Sequence, residues 1–327
     1  MLRYLAKRAV IYLMMTFVAT SAAFFLACSF FKPGRQFEQR TPPMSDEQIR
    51  QMLANLGLDP ERPIILRYFD WLTGVVTRWD WGRSPNGAYV NQEFADRVLV
   101  STSLTLVTIV LTLIIGVALG VYSASRQYSI GDRALTGYSY LTFIVPAPVA
   151  YLLVQLGAIS INEAIGQRVL FVSGISSVGV QGWFNQLLDY GAHYIVPTFA
   201  MTVMGWAGYQ VSQRQYLLDN INADFVRTAR ATGLTRTKAI SRHALRVSFI
   251  PVAQSIAFTI PAIFTGSFFA ETVFAWPGLG VWSINALSQQ DVSVAVAMTA
   301  YGCIIFAIGA ILADFAIVIV DPRVRMA

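Results

Sequence analysis

Charged residues are scarce in this chain of 327 residues. Asp, Glu, Lys and Arg make up 13% of it, about half of their share in an ordinary soluble domain. Hydrophobic residues make up 55%. So little charge argues against a soluble globular enzyme, and so much apolar content argues against a disordered chain. The composition therefore predicts a single membrane-embedded body.

Cysteine and histidine are scarce as well, at two residues each. Cys28 and Cys303 both lie in apolar stretches, where we expect them to be small packing residues. His193 and His243 are isolated from each other. Neither a disulfide framework nor a metal site is expected from this pattern.

A phosphate-binding loop of the type Gly-x-x-x-x-Gly-Lys-Ser/Thr is also missing. None of the three lysines, Lys7, Lys32 and Lys238, follows a glycine. The chain therefore cannot hydrolyse ATP through that motif. Paired carboxylates, Ser/His pairs and His-rich sets are absent from the apolar runs, which argues against a membrane enzyme.

Long runs without charge are what the chain does have. A bilayer core requires about 20 apolar residues in helical form. Six runs qualify, which predicts an all-α membrane protein with six transmembrane helices. They lie at 10–31 and between the charged residues Arg97 and Arg126, Arg133 and Glu163, Asp189 and Arg214, Arg246 and Glu271, and Asp291 and Asp314. A seventh run, 169–188, is rich in Ser, Gly, Gln and Asn, and we interpret it as a loop.

The runs divide the chain into three parts. Residues 1–31 hold the N-terminus and the first span, 32–98 form an extracytoplasmic amphipathic segment, and 99–327 form a core with five spans. Fourteen of the 24 basic residues fall on one side if the N-terminus is cytoplasmic, so both termini are predicted to be cytoplasmic. The net charge of +6 indicates contact with an anionic lipid bilayer rather than with nucleic acid.

The outer segment carries local helix patterns. Residues Ser45–Gln48 form a capping box ahead of a helix that Gly57 can close in a left-handed cap. A second helix is predicted to begin near Pro63. Trp71 and its neighbours Trp79 and Trp81 suit the headgroup level. The segment is either a small cap on the outer leaflet or a docking platform for an external partner.

The loop 214–246 between spans four and five carries a short helix. Asn222 is the predicted N-cap, Asp224 suits the positive end of the helix dipole, and Gly233 ends the helix. Apolar residues such as Phe225 and Ala229 fall on one face. This helix could lie on anionic lipid or act as a lever against a soluble partner.

The sequence of this loop, DFVRTARATGL from Asp224 to Leu234, resembles the coupling loop of ABC importer permeases. It is most similar to the B-type permease subunit of the oligopeptide and dipeptide importers. The resemblance continues through ETVFAWPGLG (271–280), Asp80–Arg83 and Asp321–Arg323, and covers nearly the whole chain.

The resemblance implies the type I permease fold of ABC importers, with residues 223–232 as a coupling helix seated in a groove of an ATPase subunit. The implied apolar contacts are Phe225, Ala229 and Leu234, and Gly233 sets the angle of the helix. The remaining coupling residues it implies are Asp224, Arg227, Thr228 and Arg230.

The resemblance also implies a non-catalytic subunit of a bacterial plasma-membrane complex. The expected partners are a second homologous permease, two ATPase subunits or domains that hold ATP and magnesium, and an extracytoplasmic peptide-binding protein. This chain itself is expected to bind no cofactor. The implied cargo is an oligopeptide or dipeptide, and relatives that carry nickel chelates or other small peptides provide an alternative.

Three features inside or beside the spans allow two interpretations each. Glu271, with the Trp-Pro-Gly of 276–278, forms either an outer gate or a simple turn; its candidate residues are Glu271, Trp276, Pro277 and Gly278. Asp314 makes either an interfacial ion pair or a proton relay. Pro146 and Pro148 are expected to kink the third span for a pathway or for packing.

An ion-coupled transporter or channel is the competing functional class, and the shortage of buried charge argues against it.

Overall fold

The computed structural model describes residues 2–38, 44–265 and 267–320, and most of them are helical. The first half of the chain contains helices α1 (Leu2–Phe30), α2 (Arg35–Glu38), α3 (Asp46–Asn55), α4 (Ile64–Arg78), α5 (Val90–Ser125), α6 (Ile130–Ile144) and α7 (Ala147–Ile165). The second half contains α8 (Trp183–Ile221), α9 (Asp224–Ala231), α10 (Arg236–Ala239), a π-helical turn (Ile240–Ala244), α11 (Leu245–Thr265), α12 (Phe268–Val273), α13 (Leu279–Ser288) and α14 (Val292–Val320).

Four of the described helices are long and apolar enough to cross a membrane. They cover Lys7–Phe30, Val90–Ser125, Ala147–Ile165 and Val292–Leu312. Each corresponds to one of the six predicted runs. The other two runs coincide with α8 and α11, which are helical but do not reach the same apolar criterion within the described residues. The prediction of several apolar spans is confirmed, and the count of six is not.

The third predicted span is not one continuous helix, and the expectation of a mere kink was wrong. Helix α6 ends at Ile144 and α7 begins at Ala147. Val145 between them is extended, with φ −78° and ψ 122°. The residue before a proline is pushed towards extended conformations, and Pro146, which lacks an N–H, then caps the start of α7. Pro146 therefore separates two helices.

Helix α8 is longer than its predicted span of 189–214. It begins at Trp183, inside the run that we interpreted as a loop, and it contains Pro197. Its buried residues include polar side chains such as His193, Gln210 and Gln213. These polar residues lower the hydropathy of the helix. Because α8 begins at Trp183, the run 169–188 is a loop only up to residue 182.

The chain forms two compact units. The first comprises Met1–Ser101 with Pro277–Ile308, and the second comprises Thr102–Trp276 with Gly309–Ala327. The core of the first unit is built from aromatic and aliphatic side chains of the outer segment, of α1 and of the start of α14. Its buried members are Phe24, Ala27, Phe37, Ile49, Leu53, Leu58, Tyr68, Val292 and Val296.

The helices predicted for the outer segment are present. Gln48 N–H donates to Ser45 Oγ at 3.3 Å, and the Gln48 side chain accepts from Ser45 N–H at 3.0 Å, which confirms the capping box. Gly57 has a φ of +72°, as a left-handed cap requires. Helix α4 begins directly after Pro63, as predicted.

Within the second unit, α8 packs against α6, α7 and α11. Close approach is possible because small residues face it from α5. A Cβ on Gly116 would lie 2.7 Å from Trp206 O, and one on Gly120 would lie 2.8 Å from Gln210 O. Only glycine avoids these clashes, so α5 and α8 are in backbone contact.

Candidate coupling site

Helix α9 follows α8 after a two-residue break. Ala223, with φ −64° and ψ 153°, occupies the N-cap position and makes no side-chain cap. Asn222 instead ends α8. The prediction of an Asn222 cap was therefore wrong. At the other end, Gly233 has a φ of +97°, and the predicted left-handed stop is confirmed.

One face of α9 is buried against its own chain. Val226 is 2% exposed and Ala229 is 7% exposed. They belong to a cluster drawn from α5, the end of α8, α9, α10 and the π-helical turn, and Leu234 packs partly against it. The buried members are Ala124, Leu217, Ile221, Val226, Ala229, Ala239, Ile240 and Ala244. The side chains of Ala229 and Leu234 therefore point towards this chain.

The rest of the surface of α9 is exposed. Phe225 precedes Ala229 by four residues and so lies at the edge of the buried face, and its side chain is 42% exposed. Arg227 and Asp224 face each other at 3.6 Å with both side chains largely exposed. Thr228 Oγ1 donates to Asp224 O at 3.0 Å. The outward surface therefore consists of one aromatic ring bordered by polar groups, among them Arg230.

An ion pair ties α6 to α8 about two turns before the end of α8. Arg214 donates from Nε to Asp132 Oδ1 at 2.6 Å and from Nη2 to Oδ2 at 2.9 Å. The Asp132 side chain is 2% exposed. Arg214 holds the pKa of Asp132 below its usual value, and the N–H of Tyr128, which donates to Oδ2 at 2.8 Å, acts in the same direction. This bidentate arrangement is the strongest geometry open to a carboxylate and an arginine.

Buried amides extend the connection along α8. Gln210 accepts from Ser139 Oγ at 2.8 Å and donates to Ser123 Oγ at 3.0 Å. Gln213 donates to Ser248 Oγ at 3.1 Å. All five side chains are buried. Buried polar groups of this kind fix one arrangement of the helices, because any shift leaves a donor or acceptor unpaired.

The other predicted site residues lie apart from this loop. Glu271 and Trp276 are each 1% exposed, and Trp276 N–H donates to Glu271 O at 2.7 Å. The Trp276 ring meets Tyr194 edge-on at 4.9 Å. Pro277 belongs to the other unit, and Gly278 is the N-cap of α13. Their role as a gate stays a prediction.

Two predicted features fall outside what can be described. Asp314 lies within α14, but its side chain is outside the described ones. The motif Asp321–Arg323 is outside the described residues. Among the side chains that are described, no group of three or more His, Cys, Asp or Glu could hold a metal ion.

Sequence reasoning missed Val226 and the Asp132–Arg214 pair. Val226 and Ala229 are three residues apart, a spacing that places them on one helix face, so their pairing was visible in principle. The partners Asp132 and Arg214 are 82 residues apart. No local pattern links them.

Comparison with known proteins gives a consistent result. Residues 116–326 match the family described as "Binding-protein-dependent transport system inner membrane component". The chain is 35% identical over 327 residues, all of both chains, to the oligopeptide transport system permease protein OppB of Mycobacterium bovis. It is 30% identical to AppB of Bacillus subtilis, over 87% of each chain, and 29% identical to the dipeptide permease DppB of Escherichia coli, over 86% of each. The family match covers the coupling loop and more than half of the sequence, and the chain therefore belongs to the inner membrane components of binding-protein-dependent transport systems.

Proposed function

We propose that this chain is the permease subunit of an ATP-driven, binding-protein-dependent importer for oligopeptides or dipeptides, and that it forms half of the translocation path. Its similarity to OppB over the full length of both chains supports this function. The similarity to AppB and DppB supports peptide cargo rather than nickel chelates. The permease relatives are transport subunits, so the ATP hydrolysis is assigned to other chains.

The proposed topology has six membrane segments with both termini in the cytoplasm. In addition to the four apolar helices, α8 and α11 cross the membrane, and α6 continues the segment of α7. The distribution of basic residues supports this orientation, because seven of them lie between Arg214 and Arg246. The outer segment 32–98 is then extracytoplasmic, where a peptide-binding protein can dock.

The exposed ring of Phe225 carries the proposed coupling. Helix α9 has its inner face fixed by Val226 and Ala229, so a force applied to Phe225, Arg227 or Arg230 moves α9 with its chain. In the complex, these outward side chains contact an ATPase subunit, which holds ATP and magnesium. A second homologous permease supplies the other half of the path and the second coupling helix.

The free energy needed to shift the gate sets a lower limit on the number of coupling contacts. Shifting a two-state gate from about 1:99 to 99:1 needs roughly 5.5 kcal/mol of differential binding. An exposed ion pair contributes only ~0–1 kcal/mol. The burial of Phe225 is therefore needed in addition to the charged contacts, and the two coupling helices together supply the free energy.

The residues Glu271, Trp276, Pro277 and Gly278 are proposed to shape the outer gate, and Asp314 to make an ion pair at the inner membrane surface.

Two neighbouring residues provide the test. In the reconstituted transporter, Phe225→Ala should lower peptide-stimulated ATP hydrolysis and uptake at least tenfold, because the outward contact is lost. The thermal midpoint of the purified chain should change little, because Phe225 is not a member of the buried cluster around Val226. Val226→Ala is the matched control. It removes two buried carbons at ~0.8 kcal/mol each and should lower the midpoint while it leaves the outward surface intact.

Normal uptake by the Phe225→Ala transporter would contradict the coupling role. Peptide uptake by this chain alone, without an ATPase subunit, would contradict the proposed function and favour an ion-coupled transporter.

A further inference from the structure

The outer segment contains a small cavity that the coupling loop does not involve. Its volume is about 190 Å³, enough for a carboxylate and the carbon atoms that carry it. The walls come from α1, α4, the stretch before α4 and the first turns of α14, all within the first unit. Arg67, Trp71 and Arg78 of α4 lie in this wall.

Two hydrogen-bond donors in the wall have no partner. Arg67 Nε and Trp71 Nε1 are buried, and neither donates to any group among the residues that the structure describes. Buried polar atoms in native proteins are nearly always hydrogen-bonded. Arg67 and Trp71 are four residues apart on α4, so they lie on the same face of the helix. Both side chains line the cavity, so a small side-chain shift on binding would let an acceptor there reach these N–H groups, which are closed to water in the free chain.

The charges around the cavity favour a single negative charge. Its walls contain Arg62, Arg67, Arg78, Asp70 and Asp80. Arg62 is paired with Asp70. The carboxylate of Asp80 accepts the N–H of Gly82 at 3.0 Å. The excess of one positive charge matches a monoanion.

The indole of Trp71 is held in position before any ligand arrives. Its ring centroid lies 5.1 Å from that of Phe24 and 6.0 Å from those of Tyr68 and Trp81. The Tyr68 hydroxyl is fixed in turn by a hydrogen bond of 2.7 Å with Ser21 Oγ. A ring that is already held by its neighbours loses less conformational freedom when it binds a ligand.

We infer that this cavity binds a carboxylate presented by a polypeptide, with Arg67 Nε and Trp71 Nε1 donating to its oxygens. The carboxylate comes either from the C-terminus of a peptide or from an acidic side chain of an external protein. A lipid phosphodiester also presents two oxygens that share one negative charge, but its two ester arms exceed a cavity of this volume. The extracytoplasmic location of the site rests on the proposed function.

The test uses the full chain in nanodiscs of phosphatidylcholine and pairs of probes that differ only in charge. Trialanine is compared with trialanine amide, and acetyl-Gly-Glu-Gly-amide with its Gln analogue, by NMR titration. At least one carboxylate should bind tenfold more tightly than its amide. Tighter binding of trialanine identifies a peptide C-terminus, and tighter binding of the Glu probe identifies a protein side chain.

Two variants remove one donor each. Arg67→Gln and Trp71→Phe should weaken carboxylate binding at least fivefold and leave the amide unaffected. Arg50→Gln is the matched control, because Arg50 lies on the same segment and pairs with Glu47 and Glu61 outside the cavity. A circular dichroism spectrum and thermal midpoint like those of the unsubstituted chain show that each variant is folded. If Trp71→Phe fails this check, Arg67→Gln decides the result.

Equal binding of acid and amide would overturn the site. So would a response of Arg67→Gln that matches Arg50→Gln, or binding that appears only when phosphatidylglycerol is added. The measurement needs no ATPase, and its failure is therefore separate from failure of the proposed function. If the chain binds trialanine but the assembled transporter imports no peptide, the proposed function is contradicted and the proposed binding site still stands.

Discussion

Helices α3 and α9 are both short and amphipathic, but they are held in place in different ways. Helix α3 has a capping box formed by Ser45 and Gln48, within four residues of its own start. Helix α9 has no side-chain cap at Ala223. It is fixed by Val226 and Ala229, which pack on distant parts of the chain. Both helices bury one face, since Ile49 and Leu53 of α3 belong to the core of the first unit. Only α3 has a local cap in addition, and α9 therefore depends on its tertiary contacts alone.

The largest expected effect comes from breaking the ion pair between Asp132 and Arg214, which joins α6 to α8. Asp132→Asn leaves Arg214 without its charged partner in a mostly buried site. Such a loss costs ~3–5 kcal/mol, and we expect the lower end because the Arg214 side chain is 22% exposed. The thermal midpoint in detergent should fall clearly, and the double variant with Arg214→Gln should recover part of the loss.

Two comparisons sharpen this prediction. Glu93→Gln breaks the pair with Arg97 in the first unit, whose side chains are 26% and 28% exposed. A helical i,i+4 pair contributes only ~0.3–0.5 kcal/mol. Because the pKa of Asp132 is lowered in the folded chain, its contribution to stability is present above the unfolded pKa of about 3.9. It is lost as the pH falls through the folded value. Equal losses for Asp132→Asn and Glu93→Gln, or an acid profile that Asp132→Asn leaves unchanged, would rule out the tethering role.

The next effect separates stability from coupling. Gly233 and Gly57 both have a left-handed backbone, with φ of +97° and +72°, and a Cβ would meet nothing within 4 Å at either. Valine at either position costs ~1–2 kcal/mol of backbone strain. Gly233→Val should also uncouple ATP hydrolysis from uptake in proteoliposomes, because it changes how α9 ends. Gly57→Val should lower the midpoint equally and leave uptake per folded transporter intact.

If both valine variants transport normally, the angle set by Gly233 has no part in coupling. If both fail alike, the loss reflects folding rather than the coupling helix.

Features encoded within a few residues could be predicted from the sequence. The box at Ser45–Gln48, the cap at Gly57, the start of α4 after Pro63 and the stop at Gly233 are all confirmed. Each depends on the conformational preference of one residue or on a hydrogen bond across three. The sequence predicts only a kink at Pro146, because how completely a proline interrupts a span depends on whether the flanking segments pack separately.

Features encoded across the fold could not be predicted. The choice of Val226 over Phe225 for the buried face is an example. Its cluster contains Ala124, Ala239 and Ala244, so the elements approach closely and leave room for a small branched side chain rather than a ring. Helical spacing allows either residue to face inward, and only the packed partners decide between them.

The smallest expected effect comes from removing the side-chain cap of α3 and adding one to α9. Ser45→Ala removes the cap of α3 at a cost of ~1 kcal/mol, so amide hydrogen exchange in α3 should accelerate about fivefold. Ala223→Ser places a hydroxyl where the backbone of α9 is already extended, with ψ 153°. It should slow exchange in α9 only slightly, since Val226 and Ala229 already secure that helix. A large slowing of amide exchange in α9 would mean that the helix frays despite its packing. The contrast between local and tertiary control would then disappear.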